Sequence, residues 1–320
     1  MSPHYEPAPV VLFAHKRPRY TRRTLEGLAA NTMASATPLF IMSEGARARH
    51  ERFAVERVRE LARSEVNAQR FAAVTLIESS AERSFAEVVV EGVSWLTGEF
   101  GKAIVLEDDH LAAPDFLYFM NACLRHYELD TTIGSVCGYS PLRTLPPGVA
   151  GDVYALPRTG ALGWATWDDR WREVDWNLAA YDTFRQDAEA RMRFDRAGAD
   201  SSRRLDREVS GGAISWSIRF GFWQFLTGRL TIHPRDNRVV SLSGRGRWGE
   251  GYGFPDNTSL EGRARPFKLH PVREDPRVTS AVKRLYSACP ARRFARQLSA
   301  ALQWGAPPLR LSRARSMAEP

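Results

Sequence analysis

The first 137 residues constrain the fold most, because short apolar runs alternate there with helix-length stretches. Residues 9–14, 38–43, 73–77, 103–106 and 133–137 are brief and rich in Val, Leu, Ile and Phe, which predicts buried strands. Residues 20–31, 47–68 and 85–100, and a stretch opened by Pro114, predict helices between them. The clearest is 85–100, where Phe85, Val88, Val89, Val93, Leu96 and Phe100 repeat at the helical period. Such alternation predicts an α/β domain with a mostly parallel central sheet flanked by helices.

The fourth run, Ala103-Ile-Val-Leu, stops at Glu107, Asp108 and Asp109. A buried strand cannot carry unpaired charge, so the carboxylates belong where the strand leaves the sheet. Ligands bind at that edge in open α/β sheets. Clustered carboxylates there suit a hard divalent cation, Mn²⁺ or Mg²⁺, shared with phosphate oxygens. His15, Lys16 and Arg17 end the first run and Glu44 ends the second, so three strand ends place polar residues along one edge.

Beyond Ser140 the pattern loosens. Trp164, Trp167 and Trp171 fall on one face of an expected helix. Core packing explains most of them, and Trp164, near the glycines, is a candidate to stack on a sugar ring. Asp168 and Asp169 beside them are candidate bases. Residues 195–213 are polar with a mobile-loop composition, and 214–226 predict an aromatic helix. Residues 243–253 hold five glycines, with Arg245 or Arg247 as counter-charges for phosphate. Neither a P-loop nor a dinucleotide-binding glycine pattern is present.

Apolar residues make up 43% of the 320, enough for a core, and the net charge of +8 favours anionic partners. Basic residues do not interleave with a recognised nucleic-acid module, so nucleic acid is not expected as a partner. Three cysteines without C-x-x-C spacing argue against a zinc ribbon or disulfide framework. With no signal-like start and no membrane-length apolar window, a cytoplasmic location is expected. The expected layout is a domain over 1–275, with a nucleotide-binding half at about 9–140 and an acceptor half at about 141–260. A basic helical tail is expected over 276–320, either packing on the domain or making peripheral contact with an inner membrane.

Val105-Leu-Glu-Asp-Asp-His-Leu-Ala-Ala-Pro-Asp-Phe-Leu resembles the acidic motif and following helix of GT-A glycosyltransferases, closest to the N-acetylglucosaminyltransferase I type and its bacterial relatives. Gly163-Trp-Ala-Thr-Trp is similar to a segment near the acceptor side of that family. Trp216-Ser-Ile-Arg-Phe, His233-Pro and Gly244-Arg-Gly resemble its later active-site segments. The resemblance implies a GT-A fold, a nucleotide-sugar donor such as a UDP-sugar, and sugar transfer with inversion to a glycan or lipid-linked acceptor. It implies Asp109 as the cation ligand, Glu107 and Asp108 on sugar and ribose, and Arg17 near the base, with Glu44 beside it. The family's eukaryotic members carry an acid where this chain has Ser217, so either another acid serves as base (Asp168, Asp169, Asp206 or Glu208), or the acceptor differs, or activity is lost. The alternatives are a nucleotidyltransferase or a catalytically degenerate protein that binds a sugar nucleotide.

Overall fold

The computed structural model describes residues 6–79, 83–212, 214–243, 260 and 266–287. Strands β1 (Val10–Ala14), β2 (Pro38–Ser43), β3 (Ala73–Glu78) and β4 (Lys102–Glu107) alternate with helices α1 (Pro18–Ala29), α2 (Arg52–Ala68) and α3 (Phe85–Phe100). Then follow β5 (His110–Ala112), α4 (Phe116–His126), β6 (Ile133–Cys137), β7 (Val153–Leu156), β8 (Trp164–Trp167) and the one-turn α5 (Asp168–Trp171). The remainder comprises α6 (Tyr181–Gln186), α7 (Ala188–Phe194), α8 (Ser201–Val209), α9 (Trp216–Leu226), β9 (Leu230–Pro234), β10 (Val239–Ser241) and α10 (Pro276–Tyr286).

The protein is mixed α/β. Its main sheet runs in the order β3-β2-β1-β4-β8-β6-β9-β7. Strands β1 to β4, β6 and β9 share one direction; β8 and β7 oppose them. Period-two side-chain alternation explains why the central strands read as unbroken apolar runs. Val10, Leu12, Ile104 and Leu106 point into one core layer with α1 and α4. Val11, Phe13, Ala103 and Val105 point into the other, with α3 and α9. Both faces are covered, so every residue of β1 is buried.

Local chemistry sets the ends of α3. Ser84 accepts from the Glu87 backbone N–H while Glu87 reaches back to the Ser84 N–H, a capping box. Gly101 closes the helix at φ +74, a left-handed conformation that a side chain would strain. From there β4 runs to the triplet, and β5 pairs antiparallel with β10, setting Ser241 opposite His110.

Three expectations need correction. Trp164 and Trp167 lie on a strand, not a helix, so a spacing of three sends them to opposite faces. Trp164 stacks on Trp216 at 4.5 Å, whereas Trp167 donates its indole N–H to the Leu124 carbonyl at 3.1 Å. Only Trp171 sits on the expected helix, and it is a single turn. Residues 201–209 form α8 rather than a loop; Leu205 is fully buried and Asp206 pairs with Arg191. The domain does not end at 275, because Val278 and Val282 of α10 are buried against Leu142, Tyr154 and Leu156. The compact unit reaches Ser287, and residues 288–320 lie outside the described residues.

Candidate active site

In a parallel sheet, strands running the same way end at one edge. His15 to Arg17 follow β1, Glu44 follows β2, Glu107 to Asp109 end β4, and Gly138 follows β6. Antiparallel β8 starts at that same edge, with Cys137 and Val105 both opposite Trp164, which brings Gly160 to Gly163 beside the triplet.

The triplet members differ in their surroundings. Asp108 is fully buried: Oδ1 accepts from Arg17 at 2.5 Å and Oδ2 from the His15 backbone N–H at 3.3 Å. The expected contact of Asp108 with ribose is therefore corrected, since both its oxygens serve to lock β4 against β1. Arg17 is pinned in the same way, with Nη1 also 3.4 Å from Asp109 Oδ2, so its guanidinium faces the carboxylates rather than reaching out to a base.

At Asp109, Oδ2 accepts from Ser241 at 3.0 Å and from Ser243. Oδ1 faces the His110 ring, 3.9 Å from Nε2. Burial opposes ionisation of Asp109, but Arg17 and the Ser243 and Ser241 hydroxyls help to outweigh it and hold its pKa below the usual value. A carboxylate on Glu107, one on Asp109 and the imidazole of His110 bring ligand atoms within 4.8 Å of one another. His110 Nδ1 accepts from the Glu107 backbone N–H at 3.0 Å. That bond puts the ring proton on Nε2, so the ring presents a donor, not a lone pair, to Asp109. Burial lowers the His110 pKa and keeps it neutral against the pull of Asp109 and Asp108. The donor set that remains, two carboxylate oxygens with room for water and phosphate oxygens, fits Mg²⁺ or Mn²⁺. Sequence reasoning missed His110, although its place directly after the triplet was visible.

Glu107 and His110 line a cleft of about 170 Å³. Its walls include Phe85, Arg158, Thr159, Gly160, Arg204, Trp216, Ser217, His233 and Tyr286. The walls are mostly apolar with a few convergent polar groups, the usual make-up of a small-ligand site. Gly160 is required there: a Cβ would collide with Cys137 Sγ and lie 3.0 Å from His233 Cε1.

Several expected residues lie elsewhere. Asp168 and Asp169 follow β8 at the opposite edge of the sheet, where the Asp168 N–H donates to the Gly101 carbonyl. Asp168 pairs with Arg172 and Asp169 with Arg170. A strand's length from the triplet, neither can serve as a base there. Trp164 is 1% exposed inside the aromatic core, so it cannot stack on a sugar. Glu44 is buried and held by Arg47 at 2.8 Å. Asp206 is occupied by Arg191 and Tyr181. Arg245 and Arg247 lie outside the described residues.

Glu208 is the base candidate on the helix that borders the cleft, although it does not itself line it. Ser201, Arg204 and Glu208 share one face of α8, and the first two line the cleft. Glu208 accepts from Arg219 Nε, while its Oε2 is buried and makes no close hydrogen bond among the described residues. Burial raises its pKa against the opposing pull of Arg219. Ser217, at the cleft wall, meets Ser215 at 3.1 Å and Arg204 at 3.5 Å.

His233 gives a pH prediction. Burial lowers its pKa to about 4, outweighing the favourable carbonyls of Tyr139 and Arg158. A folded-state pKa below the unfolded value near 6.5 means that the unfolded chain takes up the proton first. Stability is then intact above about pH 6.5 and falls towards pH 4, by roughly 2–4 kcal/mol. Thermal melts across this window should fall less steeply for His233→Asn than for wild type. Equal slopes would show that the ring makes no such contribution.

No protein-family model matches the chain, and no curated protein matches it in sequence. Among solved structures it is similar to a UDP-glucose pyrophosphorylase complexed with UDP-glucose, at 9% identity and a TM-score of 0.37, over 73% of this chain and 93% of that one. It is also similar to residues 1–349 of TarS from S. aureus, at 7% identity and a TM-score of 0.39, over 74% of this chain and 61% of that one.

Proposed function

We propose that the protein is a cation-dependent glycosyltransferase of GT-A type, using a nucleoside-diphosphate sugar, with UDP-sugars the first donors to try. One observation carries this reading: Glu107 and Asp109 offer paired carboxylate oxygens at the end of a parallel strand, and Glu107 also lines the cleft. Asp109 and Glu107 would hold Mn²⁺ or Mg²⁺, which supplies charge neutralisation for a departing diphosphate. Asp108, Arg17, Ser241 and Ser243 fix the carboxylates. His110 orients Asp109 and keeps a second positive charge out of the site. The acceptor would enter between Trp216 and Gly160, with a hydroxyl towards the Ser215–Ser217 wall. Glu208, with its raised pKa, would take the proton of that hydroxyl.

The test is release of UDP from a panel of UDP-sugars with and without Mn²⁺. Metal-dependent release is expected, lowered about 10²-fold or more by Glu208→Gln. Activity should also fall at low pH as Glu208 becomes protonated, and this limb should vanish in the variant. Donor binding without any release would instead support a sugar-nucleotide-binding protein. Release of pyrophosphate from a nucleoside triphosphate and a sugar phosphate would overturn the reading in favour of nucleotidyl transfer. Against that alternative, the turn after β1 is His15-Lys-Arg and has no glycines for a triphosphate loop.

A further inference from the structure

The starts of α1 and α2 meet beside the site. Arg17, which precedes α1, holds Asp108 and Asp109. Glu51, which precedes α2, accepts from Lys16 and lies 3.7 Å from His15 Nε2. The two first turns are therefore neighbours at the edge where the strands end.

The exposed side chains of these turns are of one sign. Arg19, Arg22 and Arg23 form a stripe on α1, and Arg49 and Arg52 flank the start of α2. None of the five has an ion pair or side-chain hydrogen bond among the described residues. Acidic residues are absent from the first turn of both helices, and Glu51, the buried residue that precedes α2, is engaged by Lys16 and the Arg47 backbone N–H. Further along α2 the pattern reverts to compensated charge, with Arg57 on Glu60 and Arg63 on Glu56 and Glu78. On α1 and α2 the uncompensated cations thus lie towards the site edge. Among them stands Phe53, 78% exposed in the first turn of α2.

We infer that this face docks on an anionic lipid surface. Five like charges beside two positive helix ends repel one another and the dipoles, and external anions relieve that cost. Phosphate headgroups supply such anions. A soluble polyanion would satisfy the arginines but leave Phe53 in water, whereas a bilayer also takes the ring at its acyl boundary. Docked this way, the sheet edge that carries Glu107 and Asp109 faces the membrane. This surface belongs to the folded domain and is separate from the basic tail.

The full chain should sediment with mixed phosphatidylcholine–phosphatidylglycerol vesicles and not with phosphatidylcholine alone. Arg22→Glu with Arg23→Glu should weaken binding at least about tenfold, and Phe53→Ser should weaken it at unchanged charge. Arg185→Glu with Arg193→Glu, an equal change in net charge elsewhere, should leave it within about twofold of wild type. All the substituted residues are exposed, and thermal melts check that each variant folds. Wild-type binding by the Arg22/Arg23 variant would overturn the inference and leave the tail as the attachment point. Equal loss in the Arg185/Arg193 control would reduce it to non-specific charge. Dextran sulfate binding that ignores Phe53, with vesicle binding that also ignores it, would assign the surface to a soluble polyanion. Because vesicle binding is read without turnover, failure here is distinguishable from failure of the proposed reaction.

Discussion

Replacing Asp109 by alanine is expected to lower cation-dependent turnover by about 10³-fold or more. The carboxylate is 1% exposed, and its environment holds it ionised in spite of that burial. Oδ2 is already used by Ser241, Ser243 and Arg17, so Oδ1 is the oxygen presented towards Glu107 and His110. Without it Glu107 is left as a single ligand, which cannot hold a hydrated divalent cation at ordinary concentrations. The fold should survive, because Asp108 keeps Arg17 and the His15 backbone. Two hydroxyls lose their acceptor, a cost of about 1–3 kcal/mol. Calorimetric titration with Mn²⁺, initial rates and thermal melts together check this. Asp109→Asn separates charge from shape: it should match alanine in rate and wild type more nearly in stability. A variant retaining a tenth of the activity or more would remove Asp109 from the cation site.

Arg238→Ala is expected to cost about 3–5 kcal/mol of folding stability, a large share of the 5–15 typical of a domain. Arg238 is 2% exposed. Its Nη1 lies 3.1 and 2.9 Å from the two oxygens of Asp115, Nε donates to the Asp236 carbonyl at 3.0 Å, and the guanidinium stands over the Phe267 ring. Truncation removes the bidentate cationic partner of a buried carboxylate. The damage should reach the site, because Arg238 leads directly into β10 and its backbone N–H bonds the Gly138 carbonyl at 2.7 Å. Urea titration reads the loss of stability. The Arg238→Met, Asp115→Leu pair should recover much of it, because removing both charges removes the stranded one. A loss under 1 kcal/mol for Arg238→Ala would show that water reaches Asp115.

The first 137 residues were legible because both layers of their core are written as local period. Buried strands appear as apolar runs and α3 as a stripe, and β2, α3 and β6 have the bounds expected. The acidic triplet was legible as the end of such a run. Roles within the triplet were not, because Asp108 is consumed by His15 and Arg17, some ninety residues earlier in the chain. The tryptophan segment misled because a spacing of three is compatible with one helix face or two strand faces. Only the pairing of β8 with β4 and β6 decides between them. That same pairing sends Asp168 and Asp169 to the wrong edge, which no local pattern encodes. Glu208 could be located only once α8 existed, and α8 was hidden by a composition with a single fully buried leucine.

One tripeptide is fastened to Asp109 three times: by the Ser241 hydroxyl, by the Leu242 backbone N–H to the Asp109 carbonyl at 2.7 Å, and by the Ser243 hydroxyl. A cation on that carboxylate draws electron density from the oxygen that the two hydroxyls share. If a cation binds there, its occupancy and the attachment of the tripeptide would be coupled equilibria, and the coupling would be reciprocal. Ser243→Ala should change the affinity for Mn²⁺, and Mn²⁺ should change hydrogen-exchange protection at the Leu242 amide. The end of β10 would then serve as a gauge of how the carboxylate is occupied, read through three hydrogen bonds.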